Sequence, residues 1–158
     1  MQKLWRIAAE TKHYAADDMS GAGSGKDGGR WNSPGNAVLY TSGSIALACL
    51  ETLVHMKLDL PLNRYLVCIK VPDDIWNSRV TLTVPYPVRW DAEPAGITSA
   101  NKGDAWIKAN SAAIFEVPSV IVPEESNFLI NPKHLNYSRI SAKKIRRWLY
   151  SPRLRLGI

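Results

Sequence analysis

The chain is poor in the residues that build metal centres and disulfide frameworks: 158 residues contain two cysteines and three histidines. Cys49 and Cys68 sit in the apolar runs Ala-Cys-Leu and Val-Cys-Ile, without a partner at metal-ligand spacing. They read as small core hydrophobes and point to a reducing compartment. His13, His55 and His134 are far apart and form neither an H-x-x-x-H nor an H-x-E…C-x-x-C spacing. No metal site is therefore expected. Long hydrophobic runs are also lacking: none approaches the roughly 20 residues that cross a bilayer. The opening Met-Gln-Lys-Leu-Trp-Arg-Ile has no signal-peptide apolar stretch. The expectation is a soluble, cytoplasmic protein with one domain over residues 1–158, since the chain shows neither a repeat nor a low-complexity linker.

Two motifs are nearly present and fail. Gly21-Ala22-Gly23-Ser24-Gly25-Lys26 looks like a P-loop, but that pattern needs Gly where Ser20 stands and Ser or Thr where Asp27 stands, and a helix is expected after it, not Gly28-Gly29. The same glycines place Ser24 one position late for the G-x-S-x-G turn of a serine hydrolase. Gly23-Ser24-Gly25 reads as a flexible loop.

Positive charge is plentiful, with a formal net charge of +6. That suggests an anionic ligand or partner without specifying chemistry. A basic cluster of Lys143, Lys144, Arg146, Arg147, Arg153 and Arg155 is interleaved with Trp148, Leu149 and Tyr150. Two readings stand: a terminal strand with charged outward positions, or a non-enzymatic module that binds single-stranded nucleic acid through its rings and cations.

The residue pattern predicts strands at 4–8, 37–41, 64–71, 80–84, 117–122 and 128–130, with turns at Pro72-Asp73-Asp74 and Pro123-Glu124-Glu125 and a loop marked by Pro85, Pro87 and Pro94. A helix is expected over residues 103–114 with Asp104 near its start. A second is expected over 44–58, capped by Ser44. In this second helix Leu47, Leu50, Val54 and Leu58 form one stripe, while Ile45, Cys49, Leu53 and Met56 cover much of the other side, which predicts a helix buried nearly all round. The order describes a single α+β domain with mixed strands and two helices.

Glu51 lies within that first stripe and is the only acid of the segment. A carboxylate there needs a partner or a cavity, since burying an unpartnered charge is costly. It is either half of a structural ion pair, for instance with an arginine, or a functional acid. The run Gly28-Gly29-Arg30-Trp31-Asn32-Ser33-Pro34-Gly35 sets an arginine between glycines that allow close approach of backbone to a ligand, although an ordinary turn uses the same residues. Arg30, Tyr40, Glu51 and Ser119 together would suit NAD. A guanidinium clamps diphosphate, a ring stacks on a flat heterocycle, and a carboxylate binds ribose hydroxyls and stabilises developing positive charge on the sugar. Ser119 reads equally well as a small residue tolerated inside a strand.

These residues resemble the RES-domain toxins of bacterial toxin–antitoxin modules, named for an Arg, a Glu and a Ser. The likeness rests on Ser20-Gly21, residues 28–35, Val38-Leu39-Tyr40-Thr41-Ser42, residues 46–55, Gly103-Asp104-Ala105-Trp106, Val117-Pro118-Ser119 and residues 127–132. The polar Ser24-Gly25-Lys26-Asp27 departs from the Ala-Arg-like run of that pattern. The resemblance implies a fold like that of the ADP-ribosyltransferases and consumption of NAD by hydrolysis, phosphorolysis or transfer of ADP-ribose to a protein. Carried over by position, Arg30, Glu51 and Ser119 are the name-giving residues, Tyr40 is the ring beside nicotinamide, and Trp31 and Asn131 join the NAD-contacting set. It also implies a cognate antitoxin with a helix-turn-helix DNA-binding domain that covers the cleft and would make the DNA contacts, in a homo-oligomer or a hetero-oligomer with the toxin.

Overall fold

The computed structural model describes residues 1–56 and 59–154. Four successive buried residues, Leu66 to Ile69, mark a strand covered on both faces. β1 (Gln2–Ala9) pairs antiparallel along its whole length with β3 (Arg64–Val71), the segment Arg-Tyr-Leu-Val-Cys-Ile-Lys-Val. The remaining strands are β2 (Leu39–Ser42), β4 (Val80–Thr81), β5 (Ile114–Pro118), β6 (Ser126–Ile130) and β7 (Ser141–Trp148). Together they form one seven-stranded mixed sheet in the order β4-β5-β6-β2-β1-β3-β7, in which only the β4–β5 pair is parallel.

Among the described residues four α-helices, not two, accompany the sheet: α1 (Ala22–Asp27), α2 (Ile45–Leu53), α3 (Asp73–Asn77) and α4 (Ile97–Ala109). The architecture is thus the expected single α+β domain. Strand alternation places Leu4, Ala8, Val67, Ile69, Ile114 and Ile130 in one buried cluster on one side of the sheet. Trp31, Trp106, Phe115 and Leu129 gather in a second cluster with α4, and Ile7, Ala48, Cys49 and Leu66 in a third with α2. The division follows from the period of two along β1 and β3.

Several expected elements shift. α1 occupies the span read as flexible loop, because Ser24 Oγ accepts from Val38 N at 3.0 Å and Asn32 Nδ2 donates to Ser24 O at 2.8 Å, tying a glycine-rich turn to its neighbours. Pro72-Asp73-Asp74 opens α3, and the 80–84 strand is reduced to two residues. α4 begins six residues before Gly103, and Ile114 belongs to β5. The strand placed at 117–122 is β5 ending at Pro118, so Ser119 follows the strand. Ser44 does cap α2, accepting from Leu47 N at 3.1 Å, but the helix is not buried all round. Leu47, Ala48 and Cys49 face the sheet, whereas Leu50 and Val54 are exposed. The helix ends at Leu53; Leu58, the last residue of the expected stripe, lies outside the described residues.

The C-terminal basic segment is a strand, β7, paired with β3 at the sheet edge. Lys144 Nζ bonds Glu10 at 2.7 Å and Arg147 Nε donates to Leu62 O at 2.9 Å. Tyr150 is buried against α2 with its hydroxyl 2.7 Å from Thr52 Oγ1, and Trp148 packs on the same cluster. These rings are committed to the core, which removes the stacking platform that the nucleic-acid reading required. Arg155 lies outside the described residues.

Candidate active site

β1 and β2 touch at one register position, Trp5↔Ser42, and separate beyond it. The resulting gap is a cleft of about 410 Å³, bordered by Trp5 to Ala9 of β1, Tyr40 to Ser42 of β2, and Ala48, Glu51 and Thr52 of α2. Tyr14, His55, Met56, Arg64 and Asn127 complete its walls. Its size falls within the roughly 300–1,000 Å³ of small-molecule sites. A second groove of about 650 Å³, between α4 and β4, has Lys102 as its one charged residue among the described residues and no acid. The chemically furnished cavity is the smaller one.

Glu51 is half-buried and reaches this cleft from α2. Its Oε1 accepts from Ser119 Oγ at 2.8 Å and from Asn127 Nδ2 at 2.5 Å. Among the described residues it forms no ion pair; neutral donors hold it. Ser119 is fully buried and outside the cleft wall, and its Oγ accepts from the N–H groups of Ile121 and Val122 at 3.1 Å each. It acts on Glu51 from behind.

Tyr40 presents its ring to the cleft and anchors its hydroxyl in the glycine-rich loop. The hydroxyl accepts from Trp31 N at 3.1 Å and donates to Asn32 Oδ1 at 2.6 Å. Burial pushes this phenol well above its ordinary range, so it stays protonated at neutral pH. The approach is close: a Cβ on Gly29 would lie 2.7 Å from the Tyr40 hydroxyl. Asp104 secures the same loop from α4, its Oδ1 accepting from Ser33 N and Asn36 Nδ2, both at 2.9 Å. Burial opposes the charge of Asp104, but these bonds outweigh it and keep the carboxyl below its usual range.

Arg30 turns away from this cavity. Its Nη1 donates to the carbonyls of Trp90 and Ala92 at 2.9 Å each, and its Nη2 pairs with Glu93. It clasps the proline-rich loop onto the glycine-rich one. Trp31 is buried, stacked on Trp90 with ring centroids 6.2 Å apart. Asn131 is also buried, donating to Asn110 Oδ1 at 3.0 Å and accepting from Lys133 N at 3.0 Å. Of the expected set, the cleft therefore unites Tyr40 and Glu51 directly, with Ser119 behind Glu51. Arg30, Trp31 and Asn131 build the surroundings.

The arginines in the cleft wall are Arg6 and Arg64, which the sequence reading missed together with Asn127. Arg6 Nη1 bonds Asp18 O at 3.3 Å and Arg64 Nη1 bonds Asn63 Oδ1 at 2.8 Å. A signal existed for Arg6, since it stands between Leu4 and Ala8 on the apolar side of a strand. Among the described residues no group of three or more His, Cys, Asp or Glu could hold a metal ion, and no helix is long and apolar enough to cross a membrane.

Comparison with known proteins places the chain. A relative from Sphingobium sp. (strain YBL2), described as a Prs ADP-ribosylating toxin, is 53% identical over 153 residues, covering 96% of this chain and 95% of its own. A relative from Yersinia enterocolitica, described as Toxin Res, is 35% identical over 156 residues, covering 96% and 99%. A chain in the crystal structure of the M. tuberculosis MbcT–MbcA toxin–antitoxin complex shares the fold, with a TM-score of 0.63 at 17% identity over 92% of this chain and 84% of that one. The RES domain family matches residues 3–151, and the chain belongs to that family.

Proposed function

We propose that this protein is the toxin of a toxin–antitoxin pair, that it cleaves the nicotinamide–ribose bond of NAD in the cytoplasm, and that it transfers ADP-ribose to a protein acceptor. The observation that carries this reading is Glu51, held by two neutral donors at the wall of a cleft that also carries the Tyr40 ring and two arginines. Arg6 and Arg64 would bind the diphosphate, the Tyr40 ring would pack on the nicotinamide end, and the Glu51 carboxylate would stabilise positive charge developing on the ribose. Nicotinamide leaves as a neutral base, so no proton donor is needed at the leaving group. Arg30 serves by holding the loop that anchors Tyr40, and Ser119 by orienting Glu51. Support for a protein acceptor, over water or phosphate, comes from the relative at 53% identity described as ADP-ribosylating. Support for an antitoxin partner comes from the toxin–antitoxin complex that shares the fold; the partner proposed is a helix-turn-helix protein that covers the cleft.

The test is incubation of the purified protein with NAD labelled in its adenylate half, with and without phosphate and with the Prs protein of its own host. Label on Prs is the expected result. Free ADP-ribose or its phosphorylated form as the sole product would reassign the acceptor, and intact NAD under all conditions would refute the reading.

A further inference from the structure

This inference rests on the reading of Glu51 as the group that faces the substrate, a carboxylate whose two oxygens have unlike partners. Both Ser119 Oγ and Asn127 Nδ2 donate to Oε1, and among the described residues nothing donates to Oε2. The direction of every proton in this network follows from hydrogen-bond inventory. A carboxylate only accepts, so Asn127 must turn its NH2 group toward Glu51 and its Oδ1 away. That Oδ1 meets Ser42 Oγ at 2.8 Å, and Ser42 must therefore donate. On the other flank, Ser119 Oγ already accepts from Ile121 N and Val122 N, so its single proton is free only for Glu51. From both sides the donors run toward one oxygen.

Ser42 and Asn127 are also register partners in the β2–β6 pair. Two residues earlier on β2, and on the same side of the strand, stands Tyr40. One strand pairing thus sets both the aromatic wall of the cleft and, through Asn127, its carboxylate. We propose that Asn127, with its amide orientation locked by Ser42, is a positioning residue that immobilises Glu51 through Oε1 and leaves Oε2 as the oxygen presented to the substrate.

The experiment compares Asn127→Ala, Asn127→Asp and Ser42→Ala with wild type in NAD turnover, measuring kcat, KM and the thermal midpoint of each. Asn127→Ala removes a charge-assisted donor and is expected to lower kcat about tenfold. Asn127→Asp puts a like charge against Glu51 and is expected to lower kcat about 100-fold or more, with KM for NAD changed less than about threefold. Ser42→Ala frees the amide to rotate and gives a loss of a few-fold with the fold retained. A purely structural role would make activity follow the thermal midpoint in all three variants. Equal kcat losses in Asn127→Ala and Asn127→Asp, or a rise in KM at unchanged kcat, would overturn the inference while wild-type turnover stands. A wild-type protein without NAD turnover would overturn the reading of the cleft and this inference with it.

Discussion

Replacing Tyr40 by Phe separates the ring from its hydroxyl, and the structure supplies the expected size of the effect. The ring remains as the cleft wall, but two bonds disappear: the one accepted from Trp31 N and the one donated to Asn32 Oδ1. Asn32 is almost fully buried, and its Nδ2 stays committed to Ser24 O and Asn36 O, so its side chain cannot rotate to recover a partner for Oδ1. A buried polar atom left without a partner costs about 1–3 kcal/mol. The Trp31 N–H, on a residue only 3% exposed, loses its acceptor as well. The total is at least about 2 kcal/mol, which for a chain of this length lowers the thermal midpoint by roughly 4–8 °C or more. Because the hydroxyl is engaged with the loop and held protonated, NAD turnover should fall less than about tenfold once the variant is assayed well below its midpoint. Chemical and thermal unfolding of both proteins, with turnover measured at low temperature, checks this. A Tyr40→Phe protein as stable as wild type whose turnover falls more than about 100-fold would show that the hydroxyl acts on the substrate, and would refute the reasoning.

Three further outcomes follow from the same geometry. Gly103→Ala should destabilise the protein by about 2 kcal/mol despite the roughly 1 kcal/mol helix preference for alanine, because the new Cβ would lie 1.6 Å from the Trp31 carbonyl oxygen and the loop must move; urea unfolding measures it. Arg6→Ala should raise KM for NAD at least tenfold with a small change in stability, whereas Arg30→Ala should lower the thermal midpoint through loss of its clasp on Trp90 and Ala92; the opposite pattern in kinetics and melting would return the phosphate role to Arg30. Glu116 is opposed by burial, but Arg79, Ser126 and Thr81 hold its carboxyl below the ordinary range. A depressed folded value contributes stability present above the unfolded pKa and lost as pH falls through the folded one. The stability gap between wild type and Glu116→Gln should therefore be widest above about pH 5 and narrow below about pH 4 in thermal melts across pH.

The parts of the fold that sequence makes legible are those governed by local pattern. β3 coincides with the 64–71 run, Ser44 caps α2, and the basic C-terminal segment is an edge strand. The failures come from tertiary override of local preference. α1 forms with two glycines inside it because Asn32 and Val38 hold Ser24. Gly103 reads as a helix start and instead lies mid-helix, where the Trp31 carbonyl leaves no room for a side chain. Within the site, Glu51 and Tyr40 are legible as a polar residue on an apolar stripe and a ring at a strand end. The opening between β1 and β2 is a matter of strand pairing that no local pattern records, so Arg6, Arg64 and Asn127 escaped notice while Arg30, framed by glycines, attracted it.

The central claim is that the Glu51 carboxylate drives cleavage of the nicotinamide–ribose bond. Nicotinamide release from NAD by wild type and by Glu51→Gln, two proteins of matched thermal midpoint, tests it most directly. Wild type should release nicotinamide steadily and Glu51→Gln at least about 10³-fold more slowly, since the amide removes the charge opposite the developing cation. Equal release by the two proteins would contradict it.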